Sequence, residues 1–248
     1  MNMTGNTILI TGGSAGIGKA LAIAFHQRGN QVIITGRRRA ALEAVVQDYP
    51  GMRWMELDMQ DADAIRAFSD SLVTEHPELN VLINNAGIMI SEDLLADPVD
   101  LTTAEDTVAT NLLGPIRLTA ALLPHLRRQT RATVMMVSSG LAFIPLTHTP
   151  TYCATKAAIH SYAQSLRHQL RGTAVEVLEL APPAVATDLM PGHRDSPHCM
   201  PLEDFIEESL ARLEQATDEI LVDRVKPLRN AESSGEYRKV FALLNGGR

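Results

Sequence analysis

The stretch Thr7-Ile8-Leu9-Ile10-Thr11-Gly12-Gly13-Ser14-Ala15-Gly16-Ile17-Gly18 joins a short apolar run to the start of an amphipathic one. Glycines at such a junction allow a tight turn, let a pyrophosphate approach the backbone and let a helix pack closely on a sheet. The helix start would direct free N–H groups at the phosphates. Because the stretch lacks Gly-Lys-Ser/Thr, P-loop ATP hydrolysis is excluded. The turn residues predicted to bind a dinucleotide are Gly12, Ser14, Ala15, Gly16, Ile17 and Gly18.

Apolar runs and amphipathic runs alternate along the first 180 residues. Strands are predicted at 7–10, 31–35, 52–57, 81–83, 133–137 and 174–180. Helices are predicted at about 17–28, 39–48, 61–76, 102–128 and 152–171. Near-continuous apolar strands are typical of a parallel sheet covered on both faces. The alternation therefore predicts an α/β protein with a single-domain Rossmann fold, a doubly wound, mainly parallel sheet flanked by helices.

The pattern changes after about residue 182. A Pro-rich, polar stretch is followed by acidic helical sequence from Leu202 to about Gln215, and a last short helix is predicted near 236–244. We expect a substrate lid near 184–216 within one domain of residues 1–248, since single α/β domains of 248 residues are common.

Composition excludes several function classes. With 22 Lys+Arg against 29 Asp+Glu the net charge is −7, which argues against nucleic-acid binding. Two cysteines are too few for a disulfide framework and favour a reducing compartment, the cytoplasm. No apolar run approaches the roughly 20 residues that span a bilayer, so no membrane insertion is expected. His193, His198 and Cys199 lack zinc-ligand spacing, and no metal site is predicted.

Further motifs follow the glycine turn in a fixed order. They are Asn84-Asn85-Ala86-Gly87, Asn111, Ser138-Ser139 and Tyr152-Cys153-Ala154-Thr155-Lys156. In this order and spacing the chain resembles the classical short-chain dehydrogenase/reductases over roughly its first three quarters. The glycine turn and Leu180-Ala181-Pro182-Pro183-Ala184-Val185 resemble the DltE-type oxidoreductases of that family. Residues 190–248 are less diagnostic and lack the Val-Asp-Gly-Gly-like closing strand common in the family.

Tyr152 and Lys156 lie four residues apart on a predicted helix, which places them on one face. A tyrosine has an ordinary pKa of about 10, and a nearby cation stabilises its phenolate. Reaching the phenolate near pH 7 would need a shift of about 3 units, roughly 4 kcal/mol. Ser139 ends a predicted strand, where open α/β sheets bind ligands. Ser138 is the competing assignment, and the family spacing favours Ser139.

The resemblance implies roles for these residues. Tyr152 would be the general acid in reduction and the general base in oxidation, Ser139 would orient the substrate oxygen, and Lys156 would lower the pKa of Tyr152 and bind the nicotinamide ribose. Asn111 would complete a proton relay through its carbonyl, which Pro115 cannot bond because it has no N–H. A simple proline kink remains the alternative at Asn111.

The resemblance also implies further cofactor contacts. Asn85, Ala86 and Gly87 would line the adenine-ribose side, with Asp58 and Met59 at the adenine. Pro182, Val185 and Thr187 match the loop that holds the nicotinamide, although Pro183 replaces the usual glycine there.

Cofactor choice depends on the end of the second predicted strand. A carboxylate there would accept from both ribose hydroxyls of NAD and repel a 2′-phosphate. Gly36 occupies that position, and Arg37 and Arg38 follow it. Guanidinium groups pair well with phosphate, so NADP is favoured over NAD. A solvated helix start is the alternative for these arginines.

The leading hypothesis is an NADP-dependent oxidoreductase that interconverts an alcohol and a carbonyl in a small molecule. The alternatives are a non-enzymatic dinucleotide-sensing regulator and a cell-envelope accessory protein of DltE type. As in the family, the helices near 102–128 and 152–171 would pair between subunits, so a homo-oligomer, a dimer or tetramer, is expected.

Overall fold

The centre of the structure is one sheet of seven parallel strands in the order β3-β2-β1-β4-β5-β6-β7. This computed structural model describes residues 1–215 and 218–246. The final residue of the predicted lid, 216, and the final residues of the predicted domain, 247–248, lie outside the described residues. The strands are β1 Thr7–Thr11, β2 Gln31–Gly36, β3 Arg53–Glu56, β4 Leu79–Asn84, β5 Ala132–Val137, β6 Val175–Leu180 and β7 Glu219–Ile220.

Helices cover both faces of this sheet, as the apolar strands predict. Every residue of β1 and β5 is buried. Because successive side chains of a strand point to opposite faces, Ile8 packs in a core with Phe25 and Phe205, whereas Leu9 packs in a second core with Leu122. The single-domain, doubly wound Rossmann fold is confirmed. The helices are α1 Gly16–Gln27, α2 Arg39–Asp48, α3 Ala62–Glu75, α4 Thr102–Val108, α5 Gly114–Leu126, α6 Pro150–Gln169, α7 Leu202–Leu213, α8 Lys226–Asn230 and α9 Tyr237–Leu244.

The helix predicted at 102–128 is interrupted, so that prediction was wrong in detail. Between α4 and α5 the chain forms a π turn over Ala109–Leu113, in which the Gly114 N–H bonds the Ala109 carbonyl. Pro115 has no N–H to donate to the Asn111 carbonyl, which disfavours a regular α-helical turn at this point. The interruption places Asn111 beside the end of β4.

The direction of chain winding reverses between β1 and β4, which are neighbours in the sheet. Thr11, at the end of β1, links the two strands, because its Oγ1 accepts hydrogen bonds from the N–H groups of Asn85 and Ala86, each at 3.0 Å. Open α/β sheets bind ligands in the crevice at such a reversal. The fold therefore brings the glycine turn and the Asn85–Gly87 loop to one edge.

The C-terminal part adds a strand that the sequence did not predict. β7 is only two residues long and pairs with β6, with Glu219 opposite Glu179. Two residues are too few to show an alternating pattern, and the Val-Asp-Gly-Gly-like motif is absent. β7 is nevertheless the edge strand on this side of the sheet.

The predicted lid begins with a loop whose two ends are hydrogen-bonded to each other. Met200 donates its N–H to the Ala184 carbonyl at 2.8 Å, and Ala186 donates to the Met200 carbonyl at 2.9 Å. The α7 helix that follows buries Phe205 completely. Among the described residues no helix combines the length and the apolar character needed to cross a membrane.

Candidate active site

A cleft of about 710 Å³ opens at the carboxyl ends of the strands. It gathers nearly all of the predicted site residues from six strand ends, the α6 helix and the lid. Gly18 and Asn111 are the exceptions and lie behind its wall. The predicted residues that line the cleft are Gly12, Ser14, Ala15, Gly16, Ile17, Arg37, Arg38, Asp58, Met59, Asn85, Ala86, Gly87, Ser139, Tyr152, Lys156, Pro182, Val185 and Thr187.

The glycine turn is packed too closely for side chains. A Cβ on Gly13 would lie 2.5 Å from the Ile34 side chain, and one on Gly18 would lie 2.4 Å from both Asn85 Nδ2 and the Gly12 carbonyl oxygen. The N-cap of α1, Ala15, has no capping side chain, and the first turn contains no acidic residue. Its N–H groups and the helix dipole are thus available to an anion, so the turn fits a pyrophosphate.

Arg37 and Arg38 are exposed at the end of the cleft that adjoins β2. Among the ion pairs of the described residues neither arginine has a carboxylate partner. Arg39 differs, because its Nε lies 2.8 Å from Glu43 and its guanidinium stacks 5.3 Å from the centre of the Trp54 ring. The two unpaired guanidinium groups fit a phosphate monoester.

The loop after β6 reaches the opposite end of the cleft despite its second proline. The Pro182 carbonyl accepts a hydrogen bond from the Gly140 N–H at 2.8 Å. A Cβ on Gly16 would lie 3.5 Å from the Thr187 side chain, so Thr187 lies beside the glycine turn. Pro183 therefore leaves Pro182, Val185 and Thr187 at the cleft.

Tyr152 and Lys156 lie side by side on α6 at the floor of the cleft. Lys156 Nζ is 5.6 Å from the centre of the Tyr152 ring and donates to the Val137 carbonyl at 2.8 Å. Burial raises the pKa of Tyr152 to about 12, against a hydrogen bond from Ser139 that lowers it. Burial also lowers the pKa of Lys156 to about 8, opposed by the negative charge of Glu179. Both shifts arise because a low-dielectric site disfavours the charged forms.

The two serines after β5 point to different partners. The Ser139 side chain lies at Tyr152, where it lowers the pKa of the phenol, and its hydroxyl accepts from the Leu141 N–H at 3.1 Å. The Ser138 hydroxyl instead donates to the buried carboxylate of Glu179. The geometry therefore favours Ser139 as the group that meets a substrate oxygen beside Tyr152.

Asn111 uses its side chain to hold the loop after β4. Its Oδ1 accepts from the Ile88 N–H at 2.9 Å, and its Nδ2 donates to the Ile88 carbonyl at 2.8 Å. A Cβ on Gly87 would lie 3.3 Å from Asn111 Oδ1 and 3.7 Å from Lys156 Nζ. Asn111 and Lys156 thus both lie next to Gly87.

A family model described as short chain dehydrogenase matches residues 6–197, which is more than half of the chain. The chain belongs to the short-chain dehydrogenase family. This makes it an enzyme of the oxidoreductase class. The motifs predicted from the sequence and the fold of the structure agree with that membership.

This short-chain dehydrogenase is 42% identical over 249 residues to the uncharacterized oxidoreductase DltE of Bacillus subtilis (strain 168), with 99% of this chain and 98% of that protein covered. The resemblance to DltE-type oxidoreductases is thereby confirmed. It is also 32% identical over 179 residues to the NADP-dependent 3-hydroxy acid dehydrogenase YdfG of Salmonella typhi, covering 71% of each chain.

Two solved structures show the same fold. A short chain dehydrogenase from Burkholderia cenocepacia J2315 in complex with NADP superposes with a TM-score of 0.84 at 22% identity, covering 98% of both chains. A short chain dehydrogenase/reductase from Burkholderia phymatum in complex with NAD gives a TM-score of 0.81 at 18% identity, covering 99% of this chain and 97% of that one.

Several residues at the site were missed by sequence reasoning. Arg224, Leu228 and Leu244 come from the C-terminal part and line the cleft. Glu179 and His160 lie behind it and hydrogen-bond each other at 2.8 Å. The signal for Glu179 was present, since an acid follows Val175 and Val177 at every second position of a buried strand.

In the nucleotide-free enzyme Tyr152 is expected to stay protonated up to about pH 11, because burial raises its pKa to about 12. Phenolate absorbance at 295 nm should therefore rise equally in the wild type and in Tyr152→Phe over that range. Burial also raises the pKa of Tyr162, which is only partly buried, so Tyr162→Phe is the comparison and should lower the rise at a lower pH than Tyr152→Phe does. A smaller rise in Tyr152→Phe at pH 10.5 would contradict the burial effect.

Proposed function

We propose that this short-chain dehydrogenase is an NADP-dependent oxidoreductase that interconverts an alcohol and a carbonyl, with Tyr152 as general acid and base. The observation that carries the proposal is the convergence of the Ser139 hydroxyl, the Tyr152 phenol and the Lys156 ammonium at the floor of the cleft. YdfG of Salmonella typhi and its NADP-dependent activity support the same reaction class.

Bound NADPH would supply the hydride, and NADP⁺ would accept it in the reverse direction. As the carbonyl carbon gains that hydride, Tyr152 transfers its phenolic proton to the carbonyl oxygen, which becomes the hydroxyl of the alcohol. Ser139 donates a hydrogen bond to the same oxygen as negative charge develops there. In oxidation the Tyr152 phenolate accepts the proton from the alcohol.

Lys156 has two tasks in this scheme. Its ammonium would stabilise the Tyr152 phenolate through charge, and its Nζ would bind the nicotinamide ribose. Asn111 supports both tasks because its side chain holds Ile88 and, with it, the adjoining Gly87. Gly87 is close to Lys156, since a Cβ built on this glycine would lie 3.7 Å from Lys156 Nζ. Its part in a proton relay stays a prediction.

The substrate side of the cleft is largely apolar. Met89 and Cys153 pack with Tyr152, and Leu141, Leu146 and Met190 lie against them. Closing such a wall over the reacting carbonyl excludes water, which strengthens the hydrogen bonds at the oxygen. The cleft therefore suits a small molecule whose carbonyl-bearing part is apolar.

Removing the Tyr152 hydroxyl should abolish turnover but spare nucleotide binding. Tyr152→Phe is expected to lower kcat for carbonyl reduction by at least about 100-fold, since general acid catalysis typically contributes that much. Its Kd for NADPH, from fluorescence titration, should change by less than about threefold. Tyr162→Phe is the matched control and should retain activity. Full activity in Tyr152→Phe would overturn the proposed role.

The preference for NADP is proposed from the unpaired guanidinium groups of Arg37 and Arg38. Arg37→Asp places a carboxylate near the ribose and is expected to weaken NADPH binding by at least about 30-fold, because a charge-assisted pair of about 2 kcal/mol is replaced by repulsion. NADH binding should change little or improve. Arg39→Gln is the control, since Arg39 is already paired with Glu43. Equal Kd values for NADPH and NADH in the wild type would contradict the preference.

A homodimer in the cytoplasm is also proposed. Leu101 precedes α4 and is 58% exposed, and Leu113 ends the π turn before α5 and is 38% exposed, which supports pairing of α4 and α5 between subunits.

The cytoplasmic location is proposed from the cysteines. Both are free and buried, as suits a reducing compartment.

The dimer can be tested directly. Sedimentation at micromolar concentration should give twice the mass of the 27.0 kDa chain. Leu113→Arg should dissociate the dimer, and Leu243→Arg on α9 should not.

A further inference from the structure

Behind the cleft a carboxylate lies where the fold calls for an apolar side chain. Glu179 follows Val175 and Val177 at alternate positions of β6, and both valines pack in the core beneath α6. Its side chain is completely buried. An isolated charge in such a place is highly unfavourable unless hydrogen bonds or an opposite charge compensate it.

Two neighbours satisfy this carboxylate. The Ser138 hydroxyl donates to Oε1, and His160 Nδ1 lies 2.8 Å from Oε2. The other ring nitrogen of His160 lies 3.1 Å from Gln164 Nε2, so the imidazole is fixed at both ends. Glu179 is therefore oriented from β5 and from α6 at once.

Lys156 lies one helical turn before His160 and one turn after Tyr152. The three side chains thus follow one face of α6 at intervals of four residues. Lys156 Nζ bonds the carbonyl of Val137, and the next residue, Ser138, bonds Glu179. The lysine and the carboxylate consequently flank the end of β5, and the negative charge of Glu179 acts on Lys156, raising the pKa of its amine.

We propose that Glu179 is a positioning residue for the reaction: its buried carboxylate, held by Ser138 and His160, keeps Lys156 in its ammonium form, so that Lys156 stabilises the Tyr152 phenolate. The inference rests on the proposed function. Glu179 touches neither substrate nor cofactor in this scheme and acts only through Lys156. Burial lowers the pKa of Lys156 to about 8, close enough to neutral that a nearby negative charge decides its protonation.

Other charged groups face this pair from the neighbouring elements. Glu219 on β7 is opposite Glu179 and accepts from Arg229 at 2.7 Å and 3.1 Å. Arg229 also stacks 5.1 Å from the centre of the Phe143 ring, whose edge lies against His160. The charged or titratable groups around Glu179 are Lys156, His160, Glu219 and Arg229, and Tyr152 faces Lys156.

A metal centre is the other use to which this cluster could be put. Ligand atoms of His160, Glu179 and Glu219 lie within 4.8 Å of one another. Both carboxylates are already engaged, however, Glu219 by Arg229 and Glu179 by Ser138 and His160. The guanidinium supplies the positive charge that a cation would bring, so the geometry favours a charge network.

The first test measures the protonation of Lys156 without turnover. Formaldehyde with a borane reductant methylates only neutral amines, and peptide mass spectrometry gives the rate at Lys156. In Glu179→Gln this rate is expected to rise about threefold at pH 7.5, because loss of the negative charge lowers the pKa of the amine by nearly one unit from about 8, which raises its neutral fraction from about a quarter to about three quarters. Above pH 10 the rates should converge, since the amine is then neutral in both proteins.

Convergence of the methylation rates above pH 10 separates an electrostatic role of Glu179 from a structural one. If the substitution merely loosened the site, Lys156 would be methylated faster at every pH. Glu176→Gln is the matched control, a carboxylate on the same strand that is 37% exposed, and it should leave the rate unchanged. Equal rates at Lys156 in the wild type and Glu179→Gln, or an acceleration that persists above pH 10, would overturn the proposal.

A second variant is expected to change the methylation rate of Lys156 in the opposite direction. Arg229→Met removes a cation beside Glu179 and Glu219, so Lys156 should become more strongly protonated and its methylation about twofold slower at pH 7.5. The Arg229 side chain is 33% exposed, so this change is easier to tolerate than one in the core. Should Glu179→Gln fail to fold, an unchanged rate in Arg229→Met refutes the proposal by itself.

Kinetics then connect the network to the reaction. For NADP-dependent alcohol oxidation, Glu179→Gln should move the alkaline rise of kcat upward by about one pH unit while KM for NADP changes by less than about twofold. Glu179→Asp, which keeps the charge, should restore most of the profile. Identical profiles in the wild type and Glu179→Gln would refute the proposal. If no alcohol is oxidised even by the wild type, the proposed function fails, whereas the methylation result still decides the role of Glu179.

Discussion

The burial of the Lys156 amine is the constraint on which the rest of the site depends. An ammonium held away from water is unfavourable by several kcal/mol unless fixed dipoles and charges replace its hydration. The carbonyl at the end of β5 supplies one hydrogen bond, and Glu179 on β6 supplies the negative charge. The amine therefore stays charged only if α6, β5 and β6 keep their register, and the position of Tyr152 one turn away follows from the same packing.

The nucleotide end of the cleft depends on a different contact. Thr11 Oγ1 bonds the N–H groups of Asn85 and Ala86, which joins the glycine turn to the end of β4 at the reversal of the sheet. Asn85 in turn donates from Nδ2 to the Thr11 carbonyl at 2.9 Å and fills the space that a side chain on Gly18 would need. The glycine turn, where the proposed cofactor would bind its pyrophosphate, is thus coupled to the Gly87 loop through one side chain.

The sequence predicted the features that come from local pattern and missed those that come from tertiary packing. Six strands were found because their runs are apolar almost without interruption, and the position of Tyr152 and Lys156 on one helix follows from spacing alone. The π turn at Asn111 and the two-residue β7 have no periodicity of their own. The Glu179–His160 contact joins residues 19 apart on different elements, and a lone acid in an apolar strand was overlooked.

The free energy needed to ionise the Tyr152 phenol near pH 7 was likewise underestimated from the sequence. An ordinary phenol would need a shift of about 3 units to ionise near pH 7, whereas burial raises the pKa of Tyr152 to about 12, which makes the shift about 5 units, or about 7 kcal/mol. The nucleotide-free site therefore holds Tyr152 in the proton-donating form that carbonyl reduction requires. Oxidation needs extra positive charge beside the phenol, and in the proposed reaction this comes from Lys156 and from the oxidised nicotinamide. Because the nicotinamide would bring its charge only when bound, Tyr152 would act as a base in the proposed reaction only in the loaded site, and a buried phenolate would not form when there is no alcohol to deprotonate.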